Sequence, residues 1–271
     1  MAKRALLIGI NAYQSVSALR GCVNDTTNLR LILKELAGFT NDDIRVLVDS
    51  RATKVAIEDR LGWLVSDAKA GDLLVLHFAG HGSQVRDRDE QDELSDQLDE
   101  ILCPWDMNWD DSFITDDYLT QHLRVAPGVT LEVILDCCNS GEGTQELGFA
   151  RPSSGGAPDR QPRFLQPPVD IVARHQGDSL PRKTLFSERE PNSIALWSAC
   201  ASFQTAADAS FDGVANGAFT FFLCKHLREA PGLSRQELLS RVRSSLDSNG
   251  FTQRPELAAQ QKVSAAQAFT L

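Results

Sequence analysis

Leu73-Leu-Val-Leu-His-Phe-Ala79 runs straight into Gly80-His81-Gly82. A short, largely apolar run bounded by Gly71-Asp72 in front and by glycine behind reads as a strand buried on both faces. Such strands belong to parallel sheets covered by helices on either side. The sequence outward from this run follows the same plan. Downstream, Asp117 to Val125 gives a helix and Thr130-Leu-Glu-Val-Ile-Leu-Asp136 a second buried strand. Upstream, Ala5 to Ile10 and Ile44 to Val48 are strands. Asn24 to Ala37 carries Leu29, Ile32, Leu33 and Leu36 at helical spacing, and Thr53 precedes another helix marked by Val55, Ile57, Leu61, Leu64 and Val65. Strands alternating with helices predict an α/β fold built on a mostly parallel sheet.

The stretch from Arg151 to Asn192 breaks this rhythm. Pro152, Pro158, Pro162, Pro167, Pro168, Pro181 and Pro191 interrupt any period, and basic residues lie between them, so it reads as a long exposed linker. Beyond it, Ser193 to Ala199 gives a strand, Gly217 to Arg228 and Ser234 to Ser248 give helices, and a short last strand is expected near Val263. The expected organisation is a larger part over 1–150, a linker over 151–192, and a smaller part over 193–271 that completes the same sheet.

Composition narrows the function. With 271 residues, 42% of them apolar, the chain can bury a full core. A net charge of −10 argues against general nucleic-acid binding, which neutralises phosphates with a basic surface. No run approaches a membrane span and Ala5 to Ile10 is too short for a signal peptide, so a cytoplasmic protein is expected. Six cysteines without a CxxC pair suggest neither a disulfide framework nor a zinc ribbon.

In open α/β sheets, sites form beyond the carboxyl ends of strands. Two such ends carry chemistry: His81 between small glycines, and Asp136-Cys137-Cys138-Asn139-Ser140-Gly141. If their strands are neighbours, a histidine and a cysteine meet at one sheet edge, as a nucleophile and its proton-transfer partner require. Taken singly, such a histidine is an ordinary turn residue and such a cysteine a small buried hydrophobe. No P-loop or G-x-S-x-G elbow is present, the C-x5-R of tyrosine phosphatases is absent, and adjacent cysteines point to opposite faces of a strand and chelate zinc poorly.

Phe78-Ala-Gly-His-Gly-Ser83 and Asp136-Cys-Cys-Asn-Ser-Gly141 resemble the histidine and cysteine boxes of metacaspases, clan relatives of caspases. Ala5 to Ile10 with Gly21-Cys-Val-Asn-Asp25, Ile114-Thr-Asp-Asp117, Ser198-Ala-Cys200, Gln204-Thr-Ala-Ala-Asp208 and Gly217-Ala-Phe-Thr220 are similar to further motifs in the same order. The resemblance covers nearly the whole chain apart from the linker. It departs at Ala79, where serine is frequent, and at Asn139, where histidine is frequent.

This resemblance implies a caspase-like three-layer α/β/α sandwich around a mostly parallel six-stranded sheet. It implies a cysteine endopeptidase with Cys138 as nucleophile, His81 as its partner, and the backbone N–H groups of Gly82 and Cys138 as oxyanion donors. No Asp or Asn stands out as a third member, so a dyad is expected. Strand alternation sends Asp136 to the same face as Cys138. With Asp25, which the resemblance also puts there, it would form an anionic pocket for Arg or Lys of a protein or peptide substrate. For Asp25 a helix N-terminal role is the rival reading. Arg151, Arg160, Arg163, Arg174, Arg182 and Lys183 are candidates for self-cleavage in the linker. From Arg86 to Asp117 there are thirteen Asp or Glu against two Arg. The family's calcium ligands map to Asp99, Asp116 and Asp117, so calcium or another signal is expected as an activator, with an acidic hairpin that keeps the protein soluble or recruits a basic partner as the rival reading, and no cofactor for the chemistry itself. The acidic position that the family has after the nucleophile is not clear, with Glu142 and Glu146 nearest. The alternative is a caspase-like scaffold that is catalytically silent or gated by a ligand, for instance a small molecule that the sequence does not identify.

Overall fold

The computed structural model describes residues 1–86, 98–138, 160–173, 193–201 and 204–269. Its centre is a sheet of six strands: β1 (Lys3–Gly9), β2 (Ile44–Val48), β3 (Leu73–Ala79), β7 (Thr130–Asp136), β9 (Ser193–Ser198) and β12 (Glu256–Ala259). They lie in the order β12-β9-β7-β3-β1-β2, all parallel except β12, which runs antiparallel to β9. Every residue of β3 is buried, as its apolar run requires of a central strand covered on both faces.

The two faces are covered by different helices, and strand alternation decides which residue meets which. Ala5, Leu7, Val75, Ile134 and Trp197 pack with α1 (Cys22–Leu36), α5 (Ala218–Glu229) and α6 (Arg235–Ser248). Leu6, Ile8, Leu74, Leu76, Val133 and Leu196 pack with α2 (Lys54–Val65) and α3 (Asp116–His122). The result is a three-layer α/β/α sandwich. Local signals set the helix ends. Thr53 accepts from Ala56 N at 3.2 Å to start α2, and Ser234 with Glu237 closes a reciprocal capping box on α6, worth about 1 kcal/mol.

Two small antiparallel sheets escape the sequence reading. One joins β4 (Gly82–Arg86), β5 (Leu98–Leu102) and β6 (Ile114–Thr115). The other joins β8 (Gln161–Pro162), β10 (Ala207–Phe211) and β11 (Val214–Gly217). Short helices α4 (Val169–Ala173) and α7 (Gln261–Ser264) and a 3-10 turn over Asp49–Arg51 complete the described elements. The expected strand near Val263 is replaced by α7, and the antiparallel edge of the main sheet is β12, a few residues earlier. Within the expected linker, Arg163, Phe164 and Ile171 are buried, while Arg160 and Val169 are exposed. There Gln161 and Pro162 form an edge strand, where a proline without an N–H is tolerated, and Arg163 is wholly buried. Among the described residues no helix is long and apolar enough to cross a membrane.

Candidate active site

Parallel pairing of β3 with β7 sets Ala79 opposite Asp136, so His81 and Cys138 each lie two residues beyond the paired ends of neighbouring strands. The close fit at the β3 turn demands Gly80, since a Cβ there would come within 2.6 Å of the Tyr13 hydroxyl and 2.9 Å of the Phe78 ring. The loop after β1 fixes the histidine. His81 N donates to the Tyr13 hydroxyl at 2.7 Å, and Nε2 lies 2.9 Å from the Ser17 carbonyl. A carbonyl only accepts, so Nε2 carries the proton of the neutral ring and Nδ1 keeps a free lone pair. Nδ1 has no hydrogen-bond partner among the described residues. Burial pushes the His81 pKa down to about 4, against the opposing pull of the Ser17 carbonyl, so the ring is neutral at neutral pH. A backbone carbonyl thus does the orienting that no Asp or Asn was expected to do.

The adjacent cysteines face opposite ways. Cys137 packs among Leu102 and Leu135, and burial drives its thiol well above the ordinary range. Cys138 faces the other layer, where its Sγ lies 2.6 Å from Ala206 N and 3.4 Å from Ala206 O, with the Cys200 thiol beside it.

Residues 160–165 run across this pair as an extended segment. The Arg163 carbonyl oxygen accepts from Gly82 N at 3.0 Å and from Cys138 N at 3.3 Å. Arg163 N donates to Ala206 O at 3.0 Å, Leu165 N donates to Gly82 O at 2.9 Å, and Phe164 bridges Gly82 in parallel. Upstream, Pro162 and Gln161 pair with Ala207 and Asp208. Cys138 is consequently 0% exposed and His81 1%.

The Arg163 side chain fills a pocket of three buried carboxylates. Its Nη2 is 2.6 Å from Asp25 Oδ2 and 3.8 Å from Asp208 Oδ2, and its Nη1 is 3.2 Å from Asp136 Oδ1. Each carboxylate is itself held. Gly217 N donates to Asp25 at 3.0 Å, Thr220 Oγ1 to Asp136 at 2.6 Å, and the amides of Arg20 and Gly21 to Asp208 at 2.9 Å each. Burial works against the charge on Arg163, but Asp136, Asp25 and Asp208 outweigh it and hold the guanidinium charged. Three carboxylates around one cation leave an excess. Burial, with Asp136 adding to it, pushes Asp25 up to about 8 even though Arg163 pulls the other way. Gly217 walls the pocket, since a Cβ there would sit 2.7 Å from Arg163 Cζ. Asp25 lies in the first turn of α1, so its helix-terminal position and its pocket position are one and the same.

Asp208, Gly217, Thr220, Tyr13, Ser17 and Ala206 belong to the site and were given no role from sequence. Of the linker candidates, Arg163 occupies the pocket, Arg160 lies three residues ahead of it, and Arg151, Arg174, Arg182 and Lys183 lie outside the described residues, as do Glu142 and Glu146. Among the described residues no three His, Cys, Asp or Glu side chains are gathered to hold an ion. Asp116 sits in excess negative charge: burial, then Asp99, Glu100 and Asp117, push it up to about 7, and its buried Oδ1 has no hydrogen-bond partner among the described residues.

The caspase-domain family model matches residues 2–264. The chain is 32% identical to Metacaspase-1B of Neosartorya fischeri over 292 residues, covering 97% of this chain and 70% of that protein. It is 33% identical to Metacaspase-1B of Aspergillus fumigatus over 285 residues, covering 94% and 69%. The crystal structure of protein GSU0716 from Geobacter sulfurreducens shares the fold, with a TM-score of 0.73 at 21% identity over 100% of this chain and 99% of that one. A cysteine and a histidine at the ends of adjacent parallel strands, in a chain with these relatives, leave one conclusion: the chain belongs to the caspase-domain family of cysteine-type endopeptidases and resembles the metacaspases within it.

Proposed function

We propose that the enzyme cleaves protein and peptide substrates after Arg or Lys through Cys138 and His81, and that its own Arg163–Phe164 bond is the first substrate. The observation that carries this is the seat of Arg163, with its carbonyl oxygen on two converging N–H groups and its guanidinium among Asp25, Asp136 and Asp208. In the first step Cys138 Sγ attacks the Arg163 carbonyl carbon while negative charge develops on the oxygen facing Gly82 N and Cys138 N. Loss of one such donor costs about 100 to 1000-fold in rate. The C–N bond to Phe164 then breaks, and its nitrogen leaves with the proton that His81 took from the thiol. Water hydrolyses the resulting thioester and regenerates the thiol. Until the segment departs, it covers both reacting groups, so self-cleavage and release precede turnover of other substrates.

No step runs through a metal. Calcium is proposed only as an activator acting on the charge imbalance around Asp116, which follows β6 of the small sheet whose strand β4 continues from the His81 turn.

The test follows the purified chain with time, and then offers peptides bearing Arg, Lys or Asp before a fluorophore, in calcium or in chelator. Expected are a new amino terminus at Phe164, cleavage after Arg and Lys, loss of both in Cys138→Ala, and faster reaction with calcium. An intact chain that cleaves no peptide in any arm would overturn the proposal in favour of a silent or ligand-gated scaffold. Equal rates in calcium and chelator would remove calcium alone.

A further inference from the structure

Arg160, three residues ahead of Arg163, is held by a second cation-accepting feature on another part of the fold. Its Nη1 donates to the Gly250 carbonyl at 2.5 Å and its Nη2 to the Asn249 carbonyl at 2.9 Å, while its Cζ stands 4.0 Å over the centre of the Phe251 ring. The two carbonyls come from the turn that ends α6, at the negative end of the helix dipole. Gly250 makes that turn with φ +70°, a conformation that suits glycine and aims successive carbonyls at one point. The ring is fixed from below. Phe251 is buried to 7% exposure and packs on Phe211 and Phe222 with centroids 5.9 and 6.4 Å away.

This cup is tied to the catalytic floor. Gln253 receives Ala207 N at 2.9 Å and donates to the Ala199 carbonyl at 2.9 Å, and Gln204 donates to the Thr252 carbonyl at 2.8 Å. Ala206, between those anchors, is the residue that meets both Arg163 N and Cys138 Sγ. The spacing between cup and nucleophile is therefore set by side chains on both sides of the turn. The receiving groups are a ring face and two carbonyls, with no carboxylate among the described residues. That set suits a planar guanidinium, which can stack and donate twice, better than an ammonium.

We propose that Phe251 with the carbonyls of Asn249 and Gly250 forms a specificity subsite for a basic residue three positions before the cleaved one, so that the enzyme reads Arg-x-x-Arg rather than a lone Arg. This rests on the reading that residues 160–165 lie as a substrate lies.

The experiment measures kcat/KM of the self-processed enzyme on Arg-Gln-Pro-Arg, Lys-Gln-Pro-Arg and Ala-Gln-Pro-Arg peptides carrying a fluorophore, for the parent and Phe251→Leu. Expected is an Arg over Ala preference of about tenfold, with Lys between, as one cation–π contact and two hydrogen bonds at an exposed site provide. In Phe251→Leu that ratio falls towards the value for hydrogen bonding alone, about threefold. A ratio does not depend on how much of the variant folds. Cleavage of all three peptides at equal rates would overturn the subsite and leave cleavage after Arg standing. Cleavage of none would strike the proposed activity instead. Hydrogen exchange on Cys138→Ala against Cys138→Ala with Arg160→Ala then reads the cup without turnover: faster exchange over 161–165 in the double variant supports it, and unchanged exchange overturns it.

Discussion

The Arg163 guanidinium donates to Asp25 Oδ2 at 2.6 Å, joining two wholly buried side chains that are 138 residues apart in sequence. Stripping both of water is costly, and the attraction between them roughly repays it, so such a pair contributes little net stability. Its value lies in position, because it pins one residue of a proline-rich stretch against the catalytic loops.

Arg163→Gln in a Cys138→Ala background therefore releases the segment. Removing one partner leaves the buried carboxylates without the group that pairs them, and even the lost charged hydrogen bond alone costs about 1.5–3 kcal/mol, so the released state gains at least about tenfold in population. Phe164 is buried in the docked segment, and chymotryptic cutting after it should accelerate by a similar factor. Equal cutting in both proteins would show that the guanidinium does not hold the segment.

Gly217→Ala puts a methyl group where the guanidinium lies. Cleavage after Arg or Lys should fall by about 100-fold, the cost of leaving a buried cation without its seat. Alkylation of Cys138 by a small iodoacetamide should meanwhile become faster, because the covering segment no longer docks. Slower alkylation would mean that the substitution damages the catalytic loops themselves.

Acid should weaken the fold through two buried imidazoles. Burial holds His77 at about 3 and His81 at about 4, against 6.5 for a solvated histidine. Their folded-state values are depressed, so below pH 6.5 the unfolded chain takes up protons that the folded chain refuses. Stability is then fully present above pH 6.5 and falls as pH drops towards 4. At pH 5 each histidine accounts for about 2 kcal/mol. Asp25, raised to about 8, binds its proton more tightly when folded and works in the opposite direction over the same range. The clean readout is a difference: in denaturant titrations of Cys138→Ala, adding His77→Gln should reduce the loss between pH 7 and pH 5 by about 2 kcal/mol. Superimposable losses would refute the buried-imidazole account.

Glu132, on β7, accepts from Trp197 Nε1 at 2.8 Å, from Arg235 Nε at 2.8 Å and from Phe269 N at 3.1 Å. One carboxylate thus ties together a neighbouring strand, the start of α6 and the chain near residue 269. Glu132→Leu leaves Arg235 buried without its partner and should cost about 3–5 kcal/mol in chemical denaturation. Glu132→Leu with Arg235→Leu should recover part of that loss, since no charge then remains unpaired.

The sheet and the His81/Cys138 pair were legible because each depends on a local signal, an apolar strand followed by a particular residue. Asp136 was legible for the same reason, being two residues from Cys138 on one strand. Asp208 was not, since its carboxylate reaches the pocket only through the β10 pairing and the amides of Arg20 and Gly21, a contact 187 residues long. Ser17 acts through its backbone carbonyl, which no residue type announces. The docking of 160–165 was hidden by composition: prolines and arginines read as a solvated linker, whereas an edge strand accepts the one and three buried carboxylates accept the other. Of the thirteen acidic residues between 86 and 117, those at 87–97 lie outside the described residues, and the described ones gather negative charge around Asp116.

The pairing of Gln161 and Pro162 with β10 has a consequence for what can be a substrate at all. If residues 160–165 lie as a substrate lies, as proposed, an incoming chain takes the place of β8, adding itself as a strand along an open sheet edge. Helical or tightly folded stretches cannot do so without first unravelling, however basic their sequence. On the proposed function the enzyme would in this sense detect unstructured polypeptide, and among many arginines in a folded cell protein it would find only those on strands of chain already loose enough to be drawn straight.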